Sequence, residues 1–359
     1  MTEKDSLIDF VSSVSGDAYL KVEENLGDGF VRLKTAEAER RQAQHDIRTI
    51  EDVVVELLRN SRDAHAQRIF VATTREGDTR RLTMIDDGVG IPPSMHQTIF
   101  EPRVTTKLET MVMDRWGVHG RGMALFSVKS NVSRCSVASS DVHKGASVYI
   151  ESDVENLNER SDQSSWPVVE RNEAGLLRVI KGPKNITRMI LEFACEHPEL
   201  DVYLGSPVEV LATLHLLGKE SLDTSDLLFC DDTTSLPVWQ RPAATSDTEE
   251  LVELSELLAL PVSERSAHRI FAGDLTPLES VLSQVEAPEE DAAIQKKPDI
   301  YRDRRGLSIH HSDLTSFRRD LTNAFDALAE RYYLHLKGEP RISIGRDEIR
   351  VRFDVDKED

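Results

Sequence analysis

The stretch Glu56-Leu57-Leu58-Arg59-Asn60-Ser61-Arg62-Asp63-Ala64 decides how the rest of the chain is read. As a helix it carries Glu56, Asn60 and Asp63 at i, i+4 and i+7, on one face. The flanking residues Val53, Val54, Val55, Leu57 and Leu58 are apolar. An unpaired charge on a buried helix face is costly, so an acid, an amide and a second acid on one stripe point to a ligand, a metal or water. A carboxylate can activate water, and an amide oxygen can ligate a hard cation. The alternative is a solvated polar stripe on a surface helix. Thr49 suits the N-cap, and Glu51 and Asp52 suit the first turn, where the helix dipole favours negative charge.

Two further motifs follow. Arg81–Ile85 reads as a strand running into Asp86-Asp87-Gly88-Val89-Gly90-Ile91-Pro92. Glycines after a strand let backbone approach a flat ligand, and an aspartate at the strand end can accept a hydrogen bond from an exocyclic amine. The third motif is Gly117-Val118-His119-Gly120-Arg121-Gly122, leading into Met123–Val128. Glycines before an apolar helix present backbone N–H groups to a phosphate. No Lys-Ser/Thr follows them, so this is not a P-loop, and no strand leads directly in, so it is not a dinucleotide fingerprint.

In this order the three motifs resemble the GHKL, or Bergerat-fold, ATPases: gyrase, the heat-shock chaperones, histidine kinases, MutL and MORC proteins. Val53–Ala66 is most similar to the first box of MutL and MORC proteins, through its Asn-Ser-x-Asp-Ala core. Asp86–Pro92 resembles the adenine box, Gly117–Gly122 the lid box, and Ile99–Lys107 the phenylalanine box of the kinases. The resemblance covers roughly the first 155 residues. It implies ATP and Mg²⁺ as ligands, with Glu56 as the general base, Asn60 as the Mg²⁺ ligand and Asp86 as the acceptor for the adenine amine. Gly88 and Gly90 would allow close approach of the base, and Gly117, Gly120 and Gly122 would present N–H groups to the phosphates. Asp63 would touch nucleotide or tie the helix to the adenine loop. Ile91, Thr106, Lys107, Val118, His119, Arg121, Met123 and Ser147 complete the expected nucleotide-binding set. Lys107 and Arg121 would add positive charge beside the lid, while His119 reads more naturally as a solvated loop residue.

Two departures from the family pattern stand out. Where the family has Gly-Thr on the last strand of the domain, this chain has Gly145-Ala146-Ser147, so Ser147 would have to supply the hydroxyl. The lid segment Lys107–Trp116 is long, and Leu108–Asp114 reads as a short mobile helix. Gln44-His45-Asp46 looks superficially like a kinase phospho-acceptor, but no helical hairpin separates it from the first box. The function expected is Mg-dependent ATP binding and slow hydrolysis, with lid closure as a conformational or dimerisation switch. The alternatives are a histidine-kinase-like protein kinase, a non-hydrolysing nucleotide-gated module, or a MutL/MORC-like DNA-maintenance or defence factor.

The net charge of −20 over 359 residues opposes a large non-specific nucleic-acid surface, though it leaves room for a local basic patch. Three widely spaced cysteines suggest a reducing compartment, with no disulfide framework. The N-terminus does not read as a signal peptide and no apolar run is long enough to span a bilayer, so a cytoplasmic protein without a membrane partner is expected. Besides ATP, the expected partners are a second copy in a homodimer and an unidentified protein client.

The fold expected is an α/β two-layer sandwich, a mixed sheet with helices on one face, followed by a second α/β region. The expected organisation is an ATP-binding domain over 1–155, a second α/β domain or extension over 166–240, an acidic, partly helical linker over 241–300, and a C-terminal helix plus β-hairpin over 301–359. Asn156–Ser165 reads as a linker or long loop. Ser206-Pro207-Val208-Glu209 is a strong helix start. Leu314, Phe317, Leu321, Phe325, Leu328 and Tyr332 form one helical stripe.

Overall fold

A computed structural model describes residues 22–34, 37–106, 112–114, 117–119, 122–172, 175–223 and 232–286. In the C-terminal part it describes 317–319, 321, 322, 325, 329, 334–338, 340–344 and 349–357. Two compact units divide the chain, Met1–Pro288 and Glu289–Asp359.

The first unit opens with β1 (Val22–Gly27), β2 (Phe30–Leu33) and α1 (Glu37–Asp46), followed by α2 (Ile50–Asp63). Thr49 caps α2 through a capping box: its side chain accepts from the Asp52 amide, and Asp52 accepts from the Thr49 amide. Ile50, Val53, Val54, Leu57 and Leu58 repeat at helical spacing, and all five are buried in the main core. β3 (Arg68–Glu76) and β4 (Thr79–Asp86) form a hairpin through a turn at Gly77. β5 (Val104–Thr105) pairs with β2, and β6 (Val112–Asp114) pairs with β7 (Gly117–His119). The helix expected at Leu108–Asp114 is therefore corrected at its C-terminal end, where Val112–Asp114 is a strand. Met111 and the residues before it back to Lys107 lie outside the described residues, as do Gly120 and Arg121.

α3 (Ala124–Asn131), β8 (Arg134–Ser140) and β9 (Ala146–Asp153) follow, then the hairpin of β10 (Val168–Arg171) and β11 (Leu177–Lys181). α4 (Ile186–Glu196), β12 (Asp201–Gly205) and α5 (Pro207–Ser221) come next. Ser206 and Glu209 make the expected capping box at α5, with Pro207 in its first turn. α6 (Thr248–Leu257), α7 (Glu264–Phe271) and α8 (Val281–Glu286) close the unit.

The central sheet is five-stranded and mixed, in the order β12-β3-β4-β9-β8. β12 is parallel to β3 and every other pairing is antiparallel. Alternation along the strands sorts side chains onto two faces. Ile69, Val71, Leu82, Met84, Val148 and Ile150 face the core shared with α2 and α4. Phe70, Ala72 and Ile85 face a second core, built with Val210, Leu211 and Leu214 of α5, Leu251 and Leu254 of α6, and Ala267 and Ile270 of α7. Up to residue 156 the helices lie on one face, as expected. The layer formed by α5, α6 and α7 covers the other, each helix through a narrow apolar stripe, while Val281 of α8 returns to the first core.

The Asn156–Ser165 loop is anchored to the sandwich. Ile50 donates to the Asn158 carbonyl, and Glu51 accepts from the Arg160 amide and from Gln163 Nε2. Glu159 is buried (side chain 2 % exposed) between Arg80, whose Nε lies 2.8 Å from Oε2, and Arg75. Glu159→Gln removes the charge facing two guanidinium groups, and the expected loss is about 2 kcal/mol of unfolding free energy, measurable by denaturant titration. No loss would show that the two arginines are solvated rather than held.

In the second unit β13 (Leu334–Leu336) pairs with β16 (Val355–Lys357), and β14 (Arg341–Ile344) pairs with β15 (Ile349–Arg352). The last pair is the hairpin expected from sequence. Phe317 and Leu321 are helical, and so is Phe325, which stacks on Phe353 with ring centroids 4.9 Å apart. Leu314, Leu328 and Tyr332 lie outside the described residues. Among the described residues no helix is long and apolar enough to cross a membrane.

Candidate functional site

One cleft gathers residues from all the motifs. Glu56, Arg59, Asn60, Asp63 and Ala64 of α2 and its end form one wall. Met84, Asp86, Ala146 and Val148 form the floor, and Phe30, Ile99, Val104, Thr105 and Thr106 the opposite side. Val89, Gly90, Ile91, Gly122, Ala124 and Leu125 complete the rim. Met95, Ile99, Phe100 and Val104 form a small core beneath that rim. Polar groups thus converge at the helix while the floor and far side are largely apolar, as small-molecule sites commonly are.

Asp86 is buried at the end of β4. Its Oδ2 accepts from Ser61 Oγ at 2.9 Å, and its Oδ1 from the Gly88 amide at 3.0 Å. Burial pushes its carboxyl up to about 6, while the Gly88 amide and the Ser61 hydroxyl pull the other way. Asp87 turns outward and accepts from the amides of Gln67 and Arg68, fixing the start of β3. Gly88 meets the helix end rather than the cleft, since a Cβ there would lie 2.7 Å from the Ala64 carbonyl oxygen. Close approach at this glycine serves helix-to-loop packing, and a Cβ there would also crowd Asp86 Oδ1 at 3.0 Å.

The adenine-box loop rests on the β8–β9 turn. The Ile91 amide donates to Ser140 Oγ at 2.7 Å, and that hydroxyl donates to the Gly145 carbonyl at 2.7 Å. The His143 amide donates to the Val89 carbonyl at 2.6 Å. Gly122, where the lid rejoins α3, accepts from the Arg103 amide at 2.7 Å.

Glu56 and Arg59 are paired within α2, with Nη1 2.6 Å from Oε1. Asp63 Oδ1 is held by Arg62, Nη2 at 2.9 Å. Asn60 is different: its Nδ2 is buried and has no hydrogen-bond partner among the described residues. An N–H donor left unsatisfied in a cleft wall calls for a hydrogen-bond acceptor.

Glu56, Asn60, Asp63, Asp86, Gly90, Ile91, Thr106 and Gly122 all line the cleft. Ser147 does not. It is fully buried on the reverse face, donating to the Leu258 carbonyl at 2.7 Å, and the cleft-facing neighbours are Ala146 and Val148. Strand alternation puts alanine, not serine, at the expected hydroxyl position. The hydroxyl beside Asp86 is Ser61, which sequence reasoning passed over within its own motif. Met123 is buried at the start of α3, where its carbonyl accepts from the Ser127 amide and hydroxyl. Gly117, Val118 and His119 lie in β7, while Lys107, Gly120 and Arg121 fall outside the described residues. Arg59 was also missed, although i+3 from Glu56 lies on the same helix face.

The donor set suits a magnesium nucleotide. Among the described residues no cluster of three or more His, Cys, Asp or Glu could hold a metal by itself. Mg²⁺ keeps water and substrate phosphates as ligands and needs few protein groups, so one amide oxygen on the wall, at Asn60, fits it.

Residues 45–156, which hold most of the cleft, match the family of histidine kinase-, DNA gyrase B-, and HSP90-like ATPases. More particularly, the chain is similar to the DNA mismatch repair protein MutL of Aquifex pyrophilus, at 27 % identity over 207 residues. The match spans 53 % of this chain and 47 % of that protein, so the chain spans about half the length of the curated relative it matches.

Proposed function

We propose that this chain binds Mg-ATP in the cleft and hydrolyses it slowly, with closure of the lid as a switch. The observation that carries this reading is the convergence on one cleft of Glu56 and Asn60 from the first motif with Asp86 from the second. Asp86 would accept the exocyclic amine of adenine, with Ser61 and the Gly88 amide holding its carboxylate in place. Asn60 would hold Mg²⁺ through its amide oxygen. The metal, when bound, supplies charge neutralisation across the phosphates. Glu56 would orient the attacking water and take its proton on a carboxylate oxygen. The apolar floor at Met84, Ala146 and Val148 would exclude bulk water from the base. Backbone amides around Gly117–Gly122 would meet the phosphates when the segment between Thr106 and Gly122 closes.

Glu56→Ala tests the chemistry. The expected result is nucleotide affinity within about threefold of wild type and a turnover at least about a hundredfold lower. Equal turnover would remove Glu56 as the base. Calorimetry on wild-type protein with excess Mg²⁺ that detects no adenine nucleotide would end the whole reading. The similarity to a DNA mismatch repair protein supports a second, finer reading, a role in DNA maintenance. Duplex DNA that stimulates phosphate release would support it, and DNA without effect would count against it.

A further inference from the structure

Arg59 places a guanidinium inside an otherwise anionic cleft. Among the described cleft-lining residues it is the one cation, set against Glu56, Asp63 and Asp86. Its side chain is 3 % exposed and that of Glu56 is 20 % exposed, so the pair is largely withdrawn from water. The two residues lie three apart on one helix, whose backbone is fixed by the buried Leu57 and Leu58 between them. A charge-assisted hydrogen bond of 2.6 Å between two residues on one rigid element restricts the carboxylate to a small set of orientations.

Resting on the ATPase reading above, we propose that Arg59 is a positioning residue for Glu56. It grips Oε1 and so holds the carboxylate plane towards the site of attack. Glutamate has several rotatable bonds, and a base free to wander through its rotamers spends little time in reach of the water. Arg59 acts through Glu56 and touches no reacting atom. Its removal therefore lowers turnover and leaves nucleotide binding alone. An arginine serving the phosphates directly would show the opposite split, with weakened binding.

The test uses the full chain with Arg59→Gln and Arg59→Lys, each in wild-type and Glu56→Gln backgrounds. For Arg59→Gln the expected kcat is lower by about tenfold or more, with the affinity for a non-hydrolysable Mg-ATP analogue, read by calorimetry, within about threefold. Arg59→Lys keeps the charge and recovers part of the rate. In the Glu56→Gln background Arg59→Gln lowers the residual rate no further. On protein without nucleotide, denaturant unfolding of the same variants should be non-additive, the double variant losing less stability than the two singles summed. Unchanged kcat in Arg59→Gln, a loss of affinity with kcat intact, or an additive cycle would each overturn the proposal. Wild-type protein that binds the nucleotide and releases no phosphate would sink the hydrolysis reading, and the positioning role with it. An additive cycle in an active wild type sinks the positioning role alone.

Discussion

Asp86→Asn is expected to lower the affinity for adenine nucleotide by at least about a hundredfold and, at pH 7, to make the protein more stable. Both effects have one origin. The Asp86 carboxyl is fully withdrawn from water, and burial raises it from 3.8 to about 6. At 1.36 kcal/mol per unit, that rise means the ionised form burdens the fold by about 3 kcal/mol at neutral pH. Asparagine relieves most of the burden and still accepts from the Gly88 amide through its oxygen. Its Nδ2 meets the Ser61 hydroxyl, which must turn round to accept, so the expected net gain is smaller, about 1–2 kcal/mol. The amide nitrogen also presents a donor where the adenine amine would donate, and binding fails for that reason.

The sign of the pH dependence follows. The folded state holds its proton up to about pH 6 and the unfolded state only to about 4, so the folded state carries more protons between those values. The contribution of Asp86 to stability is most favourable below pH 4, declines as pH rises through 6, and is flat above. Nucleotide binding should run the other way, because the ionised carboxylate would be the acceptor in the proposed site. Affinity should fall about tenfold for each pH unit below 6, and Asp86→Asn should abolish that dependence. Calorimetric titrations at pH 5, 6 and 7, paired with denaturant melts at the same values, check both halves. A variant less stable than wild type at pH 7 would mean that the carboxylate is better solvated than its burial implies. A site held in place against its own stability is the usual price of function.

The sandwich and the cleft's polar wall were legible because periodicity carries over directly into position. Spacings of 4 and 7 put Glu56, Asn60 and Asp63 on one face, and the apolar residues between them on another. Arg59 obeys the same arithmetic and was passed over because a lone arginine in a helix reads as solvated. Ser147 shows a different limit. Alternation says that neighbours on a strand face opposite ways, but not which face holds the cleft, and a hydroxyl seemed the better candidate than the alanine beside it. In the 241–286 region the average acidity of the segment hid Leu251, Leu254, Leu258, Ala267 and Ile270, all buried. Composition averages over a helix, whereas burial depends on one stripe of it. The lid was hardest, since its glycines carry no period, and Val112–Asp114 turned out to pair as a strand.

Gly90→Ala separates backbone strain from steric exclusion when set beside Gly77→Ala. Both glycines have positive φ, +73° at Gly90 and +58° at Gly77, so alanine meets a conformational penalty at either one. At Gly77, in the β3–β4 turn, a Cβ would have nothing within 4 Å. The expected loss there is the conformational part alone, about 1 kcal/mol. At Gly90 a Cβ would lie 1.9 Å from the Asp141 carbonyl oxygen and 3.0 Å from that of Gly145. Those are backbone atoms of the turn that holds the loop through Ser140 and His143, and they cannot swing aside as a side chain would. Either the loop or the turn must move, so the expected loss at Gly90 is about 4 kcal/mol or more. Gly145 makes retreat harder, because it is itself packed on the Asp86 carbonyl, 2.1 Å from where its own Cβ would be. Displacing the loop would also displace Asp86, the proposed acceptor for adenine, so Gly90→Ala should lose nucleotide affinity along with stability, while Gly77→Ala keeps its affinity. Denaturant unfolding and calorimetry on the two variants measure each quantity. Equal losses of stability would mean that loop and turn are not in backbone contact, and that the cleft floor rests on something else.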